Sequence, residues 1–321
     1  MLGDPSAATT LREKLALPVI AGPMFLVSGP ELVIASCQAG VVGSFPTLNA
    51  RTPDILDEWL TKLGVELDDK AAPYAVNLIT HRTNARLPED LALVVKHQAP
   101  LVIASVGSPG PVVHDVRGYG GLVFSDVASV NHARRAAESG VDGLILLCAG
   151  SGGHTGWLNP FAFVTEVRKF FAGPLILAGA IGNGRLIHIA EQLGADFAYV
   201  GTPFIAALES MADDDYRQML IDSNADDIEL TSALTGMPAN MLRESIVRSG
   251  FKHEAKHDGG FDAKKGTETL RAWRDIWGAG HGVGDIERAE PVASIVDRMK
   301  GEYDTARKTT LRSLEGGVGL A

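Results

Sequence analysis

The sequence predicts an α/β fold: a closed (β/α)8 barrel, of the TIM type, with helical additions at its C-terminal end. Three observations predict it. Over the first two thirds of the chain, short apolar segments rich in Val, Ile and Leu alternate with longer segments of helical periodicity. Eight strand-like segments can be counted, the number that closes a parallel barrel. No G-x-G-x-x-G turn follows the first of them, which weighs against an open doubly wound sheet.

The eight expected strands are Leu17–Gly22, Val41–Ser44, Pro73–Leu78, Leu101–Val106, Gly121–Ser125, Gly143–Leu147, Pro174–Ala178 and Phe197–Val200. Helices are expected to begin near Gly29, Pro53, Pro88, Pro111, Ser129, Asn159, Asn183 and Thr202. Several of these starts offer N-cap or first-turn chemistry. Two helices end alike, in Glu138-Ser139-Gly140-Val141-Asp142 and Gln192-Leu193-Gly194-Ala195-Asp196, with Gly turning the chain into the next strand. The barrel is thus assigned to Leu11–Leu208. Glu209–Ala321 reads as a helical extension packed on the rim, short of strands. Its helical runs are Ala212–Ser223, Ala239–Arg248, Thr267–Trp277 and Pro291–Thr309, and the polar stretch Lys252–Gly266 reads as an exposed loop.

Composition narrows the function. The net charge is −10 and no Lys/Arg-rich run offsets it, so nucleic acid and anionic membranes are poor partners. Cys37 and Cys148 lie far apart in apolar surroundings and read as buried free thiols, in keeping with a reducing cytoplasm. Met1–Thr10 lacks the features of a signal peptide, and apolar runs are too short to span a bilayer. A cytoplasmic protein is the expectation; a homodimer stays open. His97, His114, His132 and His188 lack ligand partners at useful spacing, and Lys252-His253 and Lys256-His257 read as solvated, so no metal site is expected. No G-x-S-x-G or Cys nucleophile stands out.

In a barrel of this type ligands meet the C-terminal strand ends, and the unusual residues fall there. Strand one runs into Gly22-Pro23-Met24, a stiff turn whose backbone can approach a flat ring. Strand three ends in Asn77-Leu78, where the amide can both donate and accept. Strand six runs into Cys148–Gly156, nine residues in which four glycines surround His154. Nothing in helix packing would place a His there, so a functional role is expected. Strand seven ends in Ala178-Gly179-Ala180-Ile181-Gly182, and strand eight in Val200-Gly201-Thr202-Pro203-Phe204. Small residues ahead of a helix expose N–H groups that favour phosphate.

Together, Gly22-Pro23-Met24, Asn77-Leu78, the Gly-Gly-His-x-Gly of Gly152–Gly156, Ala178-Gly179-Ala180-Ile181 and Gly201-Thr202-Pro203-Phe204 resemble the nitronate monooxygenase (2-nitropropane dioxygenase-like) family, over about Pro18–Ala207. The resemblance implies FMN as cofactor and oxidation of alkyl nitronates with molecular oxygen. It implies that Asn77 contacts the isoalloxazine and that Gly152 and Gly153 lie near the flavin. Gly179 and Ala180 would bind phosphate, with Tyr199, Val200, Gly201 and Thr202 completing the cradle. His154 would be the general base or the group orienting the substrate. A neutral His could take a carbon-bound proton and a protonated one could hold a nitronate anion; the ordinary imidazole pKa allows either.

The chain departs from the pattern in three places. Leu147 stands where many relatives have Gln, Gly150 where many have Glu, and Ala180 where Gly is usual. Rival readings are an NAD(P)H-dependent FMN reductase of enoyl thioesters or quinones, and a flavin- or phosphate-binding barrel without catalysis. A Schiff-base aldolase would need a Lys on a barrel strand, and none is present.

Overall fold

A computed structural model describes residues 1–234, 236–251 and 274–315. The expected Lys252–Gly266 loop and most of the Thr267–Trp277 helix lie outside them.

Eight parallel strands form the barrel: β1 (Val19–Ala21), β2 (Ser44–Pro46), β3 (Ala75–Ile79), β4 (Leu101–Ser105), β5 (Leu122–Val127), β6 (Gly143–Leu147), β8 (Leu175–Ala178) and β9 (Phe197–Val200). They neighbour one another in the order β1-β9-β8-β6-β5-β4-β3-β2. An Ile20–Val42 bridge brings the two edges together: the Ala21 amide donates to the Val42 carbonyl at 2.8 Å and the Val42 amide to the Val19 carbonyl at 3.0 Å. Almost every strand residue is buried, because one face fills the barrel and the other lies under helices.

Most expected strand boundaries move by one to three residues, and two of these shifts matter for closure and for the site. Val42 serves the closure bridge, and the second strand proper runs Ser44–Pro46. The fifth strand continues two residues past Ser125, because Asp126 and Val127 pair with Ile145 and Leu146 of β6.

Helix α1 (Ser6–Arg12) precedes the first strand; α2 (Pro30–Gln38), α3 (Pro53–Glu66), α4 (Leu87–Lys96), α5 (Gly110–Gly118), α6 (Val130–Glu138), α7 (Pro160–Arg168) and α8 (Gly184–Leu193) lie between the strands; the short α9 (Thr202–Ile205) follows the last, and α10 (Asp214–Ile221) opens the extension. Thr52, Ser129, Asn159 and Asn183 cap their helices by accepting first-turn amides.

The extension differs from the expectation. Ala239–Arg248 is not one helix: strand β11 (Ala239–Leu242) precedes helix α11 (Arg243–Ser249). Nor is the region short of strands. β11 pairs antiparallel with β10 (Ile228–Thr231) on one side and with β7 (Gly153–His154) on the other. Helix formers such as Ala239, Met241 and Leu242 are drawn into a strand because partners on both sides satisfy its backbone. The C-terminal helix (Val292–Glu315) packs along α8. A Cβ built on Gly184 would overlap the Met299 carbonyl, so the two helices meet backbone to backbone there. Met299, Tyr303, Val296 and Ile187 complete that contact. Among the described residues no helix is long and apolar enough to cross a membrane.

Candidate active site

Strand register decides which side chains enter the barrel mouth. Asn77 pairs with Ile103, two residues before Ser105; Ile103 pairs with Phe124, two before Asp126. Asp126 pairs with Ile145, two before Leu147; Leu147 pairs with Ala178, and Ala178 with Tyr199. Since alternate residues share a face, Asn77, Ser105, Asp126, Leu147, Ala178 and Tyr199 all line the interior. Val200 belongs to the outward face, packed with Phe204 and Val296, so it can offer a ligand only backbone.

Those polar side chains form a directed network. Asn77 is buried, and its Nδ2 donates to the Ile103 carbonyl at 3.0 Å and to Ser105 Oγ at 2.6 Å. Ser105 in turn donates to the Asp126 carboxyl. The Ile103 carbonyl only accepts, which fixes the amide orientation. Both Asn77 N–H groups are therefore committed, and the amide offers the mouth its oxygen: an acceptor, not the ambivalent group the sequence allows. Asp126 Oδ1 and Tyr199 Oη are buried with no hydrogen-bond partner among the described residues. Burial pushes the Asp126 carboxyl up to about 6, against the lowering effect of the Ser105 hydroxyl. Burial, and then the nearby Asp126, raise Tyr199 well above its ordinary value. Buried polar atoms of this kind are costly unless a ligand or water meets them.

The His154 loop is pinned on several sides. His154 pairs with Ala239 and Gly153 with Asn240 across the β7–β11 ladder. The Thr155 amide donates to the Pro238 carbonyl at 3.0 Å, and Asn240 Nδ2 to the Ser151 carbonyl at 2.7 Å. Ser151 and Thr155 hydroxyls both donate to the Cys148 carbonyl at 2.9 Å. Gly153 takes φ +64°, a conformation open to glycine at no steric cost. His154 is half-buried, and loss of solvation lowers its pKa to about 4, so the ring is neutral at pH 7.

The strand-seven and strand-eight turns stand beside this loop. Gly179 has φ +132° and Ala180 φ +56°, the latter rare for a residue with a side chain. The Ala180 amide leans toward the Gly150 carbonyl at 3.3 Å. The α8 N-terminus is already served, since the Gly184 amide donates to Glu302 at 2.7 Å and Asn183 caps Leu186. A phosphate here would thus meet the turn, not the helix start. Thr202 Oγ1 accepts from the Gly280 amide at 3.0 Å. A Cβ on Gly201 would make only ordinary contact with the Met24 sulfur. The Gly22 amide donates to the Val200 carbonyl, a Cβ on Gly22 would make ordinary contact with the Tyr199 ring, and Asn49 holds the turn by donating to the Met24 and Ser28 carbonyls.

Two parts of this neighbourhood escape a reading of the sequence. Asp126 is one. The other is Gly278–Asp285, which lies against both Gly-rich turns. The His281 amide donates to the Gly150 carbonyl at 3.0 Å, and a Cβ on Gly280 would stand 2.7 Å from that same oxygen. Its alternating glycines around His281 repeat the composition of the His154 loop, which is the signal that could have found it. Among the described residues, no group of three or more His, Cys, Asp or Glu could hold a metal ion.

The profile of the nitronate monooxygenase family matches residues 80–271, more than half of the chain and the span that holds the His154 loop. The chain belongs to the nitronate monooxygenase family. A nitronate monooxygenase from Paraburkholderia phytofirmans is 25% identical over 335 aligned residues, spanning 89% of this chain and 92% of that one. A (3aS,4S,5R,7aS)-5-hydroxy-7a-methyl-1-oxo-octahydro-1H-indene-4-carboxyl-CoA dehydrogenase from Rhodococcus jostii is 24% identical, over 79% of this chain and 70% of its own length. Among solved structures, FabK from Thermotoga maritima superimposes with a TM-score of 0.80 at 27% identity, covering 97% of this chain and 99% of its own. This member of the nitronate monooxygenase family is therefore an oxidoreductase built on a (β/α)8 barrel.

Proposed function

We propose that the chain is an FMN-dependent oxidoreductase that oxidises alkyl nitronates, and nitroalkanes after proton removal, with molecular oxygen. The observation that carries this reading is the neutral His154, held on a pinned loop at a mouth whose floor bears polar atoms with no partner among the described residues. Those atoms fit a flat heteroaromatic ring with both N–H and C=O groups. The Asn77 oxygen would accept from a ring N–H, and Tyr199 Oη would donate to a ring acceptor. Gly22, Pro23 and Met24 would border the ring, with Gly152 and Gly153 beside it. Gly179, Ala180, Gly201, Thr202 and the Val200 backbone would hold the phosphate end. When bound, FMN takes electrons from the substrate and passes them to oxygen.

His154 acts on the proton. A neutral ring can take a carbon-bound proton from a nitroalkane. With its pKa lowered, it would meet a preformed nitronate as an N–H donor and not as a fixed positive charge. The small-molecule substrate would lie between His154 and the ring, over Leu147 and Ala178.

A second reading is favoured by the Rhodococcus relative, which by name acts on a CoA thioester. On that reading the same FMN site exchanges electrons between an acyl or enoyl thioester and NAD(P)H or another partner.

Anaerobic mixing of the FMN-loaded protein with nitronates, NADH, NADPH and acyl-CoA thioesters separately, following flavin absorbance, chooses between them. His154→Ala should keep FMN and slow flavin reduction by roughly two to four orders of magnitude, more with nitroalkanes than with nitronates. Wild-type rates on both would refute the role of His154, and bleaching by saturated acyl thioesters, NADH or NADPH but not by nitronates would replace the first reading with the second.

A further inference from the structure

The barrel floor holds a carboxyl with no cation beside it among the described residues. Asp126 lies on the inward face of β5; one oxygen accepts a hydrogen bond from the Ser105 hydroxyl and the other has no hydrogen-bond partner among the described residues. The titratable group facing it from across the barrel is Tyr199, itself buried with an unmet hydroxyl. His154 belongs to the loop above, at the rim.

The connections have a direction. An ionised Asp126 can only accept, so the single Ser105 hydroxyl proton is drawn to it. Ser105 Oγ must then accept from Asn77 Nδ2, whose other proton is held by the Ile103 carbonyl. The chain Asp126–Ser105–Asn77 therefore ends in an amide oxygen turned toward the mouth. Bonds in such a chain polarise one another, so charge on Asp126 is felt at that oxygen. A fixed negative charge under a bound ring also opposes the ring's gaining electrons.

We propose that Asp126 is a positioning residue for the bound flavin: through Ser105 it holds the Asn77 acceptor toward the ring, and its charge sets how readily the ring is reduced. This rests on the FMN reading above. The carboxyl titrates within the working range of the protein, since burial has raised it to about 6. Flavin reduction should accordingly be harder above that pH, where Asp126 is ionised, and easier below it.

The test is the flavin reduction potential of the FMN-loaded protein, measured against dye standards from pH 5 to 8, for wild type and Asp126→Asn. The amide keeps the shape and an acceptor for Ser105 but removes the charge. At pH 8 the reduction equilibrium of the variant should shift about tenfold toward the reduced form, equivalent to ~30 mV for a two-electron couple. The two proteins should converge near pH 5, and the difference between them, in which the flavin's own proton uptake cancels, should open with an inflection near pH 6. Should Asp126→Asn fail to fold, Ser105→Ala carries the test. Removing the hydroxyl that lowers the carboxyl pKa should move the inflection to higher pH. Equal potentials in wild type and Asp126→Asn across the range, or an inflection unmoved by Ser105→Ala, would overturn the proposal. A purified chain that takes up no flavin would overturn the FMN reading itself, an outcome distinct from bound flavin with unchanged potential.

Discussion

The depressed pKa of His154 makes a stability prediction that needs no substrate. In the unfolded chain an imidazole titrates near 6.5, whereas burial lowers the folded value to about 4. Between these values the unfolded chain takes up a proton that the folded chain refuses. Folding stability owed to this site is thus fully present above about pH 6.5, declines as pH falls from there, and levels off below about pH 4. A gap of about 2.5 pH units at 1.36 kcal/mol each gives ~3 kcal/mol. Partial exposure of the ring reduces this to roughly 2 kcal/mol through solvent screening. His154→Gln keeps a polar side chain but has no proton to take up. Urea unfolding of wild type and variant at matched flavin occupancy, at half-unit steps from pH 8 to 4, isolates the effect, because all other groups cancel in the difference. The wild type should lose ~2 kcal/mol relative to the variant on going from pH 7 to pH 4. Parallel curves would refute the claim that the fold keeps this imidazole neutral, and with it the preference for a base over a charged anion holder.

Two further predictions concern backbone geometry. Gly184→Ala places a methyl against the Met299 carbonyl and 2.5 Å from the Tyr303 amide, so urea unfolding should show a loss of ~1–3 kcal/mol; an unchanged midpoint would mean that the C-terminal helix is not seated as described. Ala180→Gly relieves a side chain held at φ +56°, worth ~1–2 kcal/mol, against ~0.5–1 kcal/mol of extra freedom in the unfolded chain. A gain of up to ~1.5 kcal/mol is expected by the same assay, and a clear loss would show that the methyl packs usefully.

What could be read in advance follows the range of the forces involved. Barrel strands are buried on both faces, so their apolar runs are written locally, and the eight-strand count holds. His154 stands out in the sequence because four glycines around one His have no explanation in helix packing. Asp126 does not. Asp is depleted in strands, so ending the strand at Ser125 is the natural local reading; only pairing with Ile145 carries the strand on and turns the carboxyl inward. The same limit hid β11, whose residues favour a helix until β7 and β10 supply partners. It also hid the α8 N-terminus, which local sequence offers to a phosphate but Glu302, over a hundred residues away, already occupies. Val200 shows the converse: a motif gives position in the chain, and only register gives facing.

The placement of Gly278–Asp285 against the turns after β6 and β8 has a consequence for the order of assembly. Barrel strands can pair as they leave the ribosome, since each neighbours one made shortly before. The contacts between Gly280 and Thr202, and between His281 and Gly150, close loops of 78 and 131 residues (280 − 202 and 281 − 150). Such contacts can form only after the later segment has been made, and non-local pairings of this kind form slowly. During synthesis the barrel therefore exists for a time with an unfinished rim. On the FMN reading, a barrel not yet joined by Gly278–Asp285 would meet its ligand with both glycine turns unbraced, so tight capture would have to follow the synthesis of that segment.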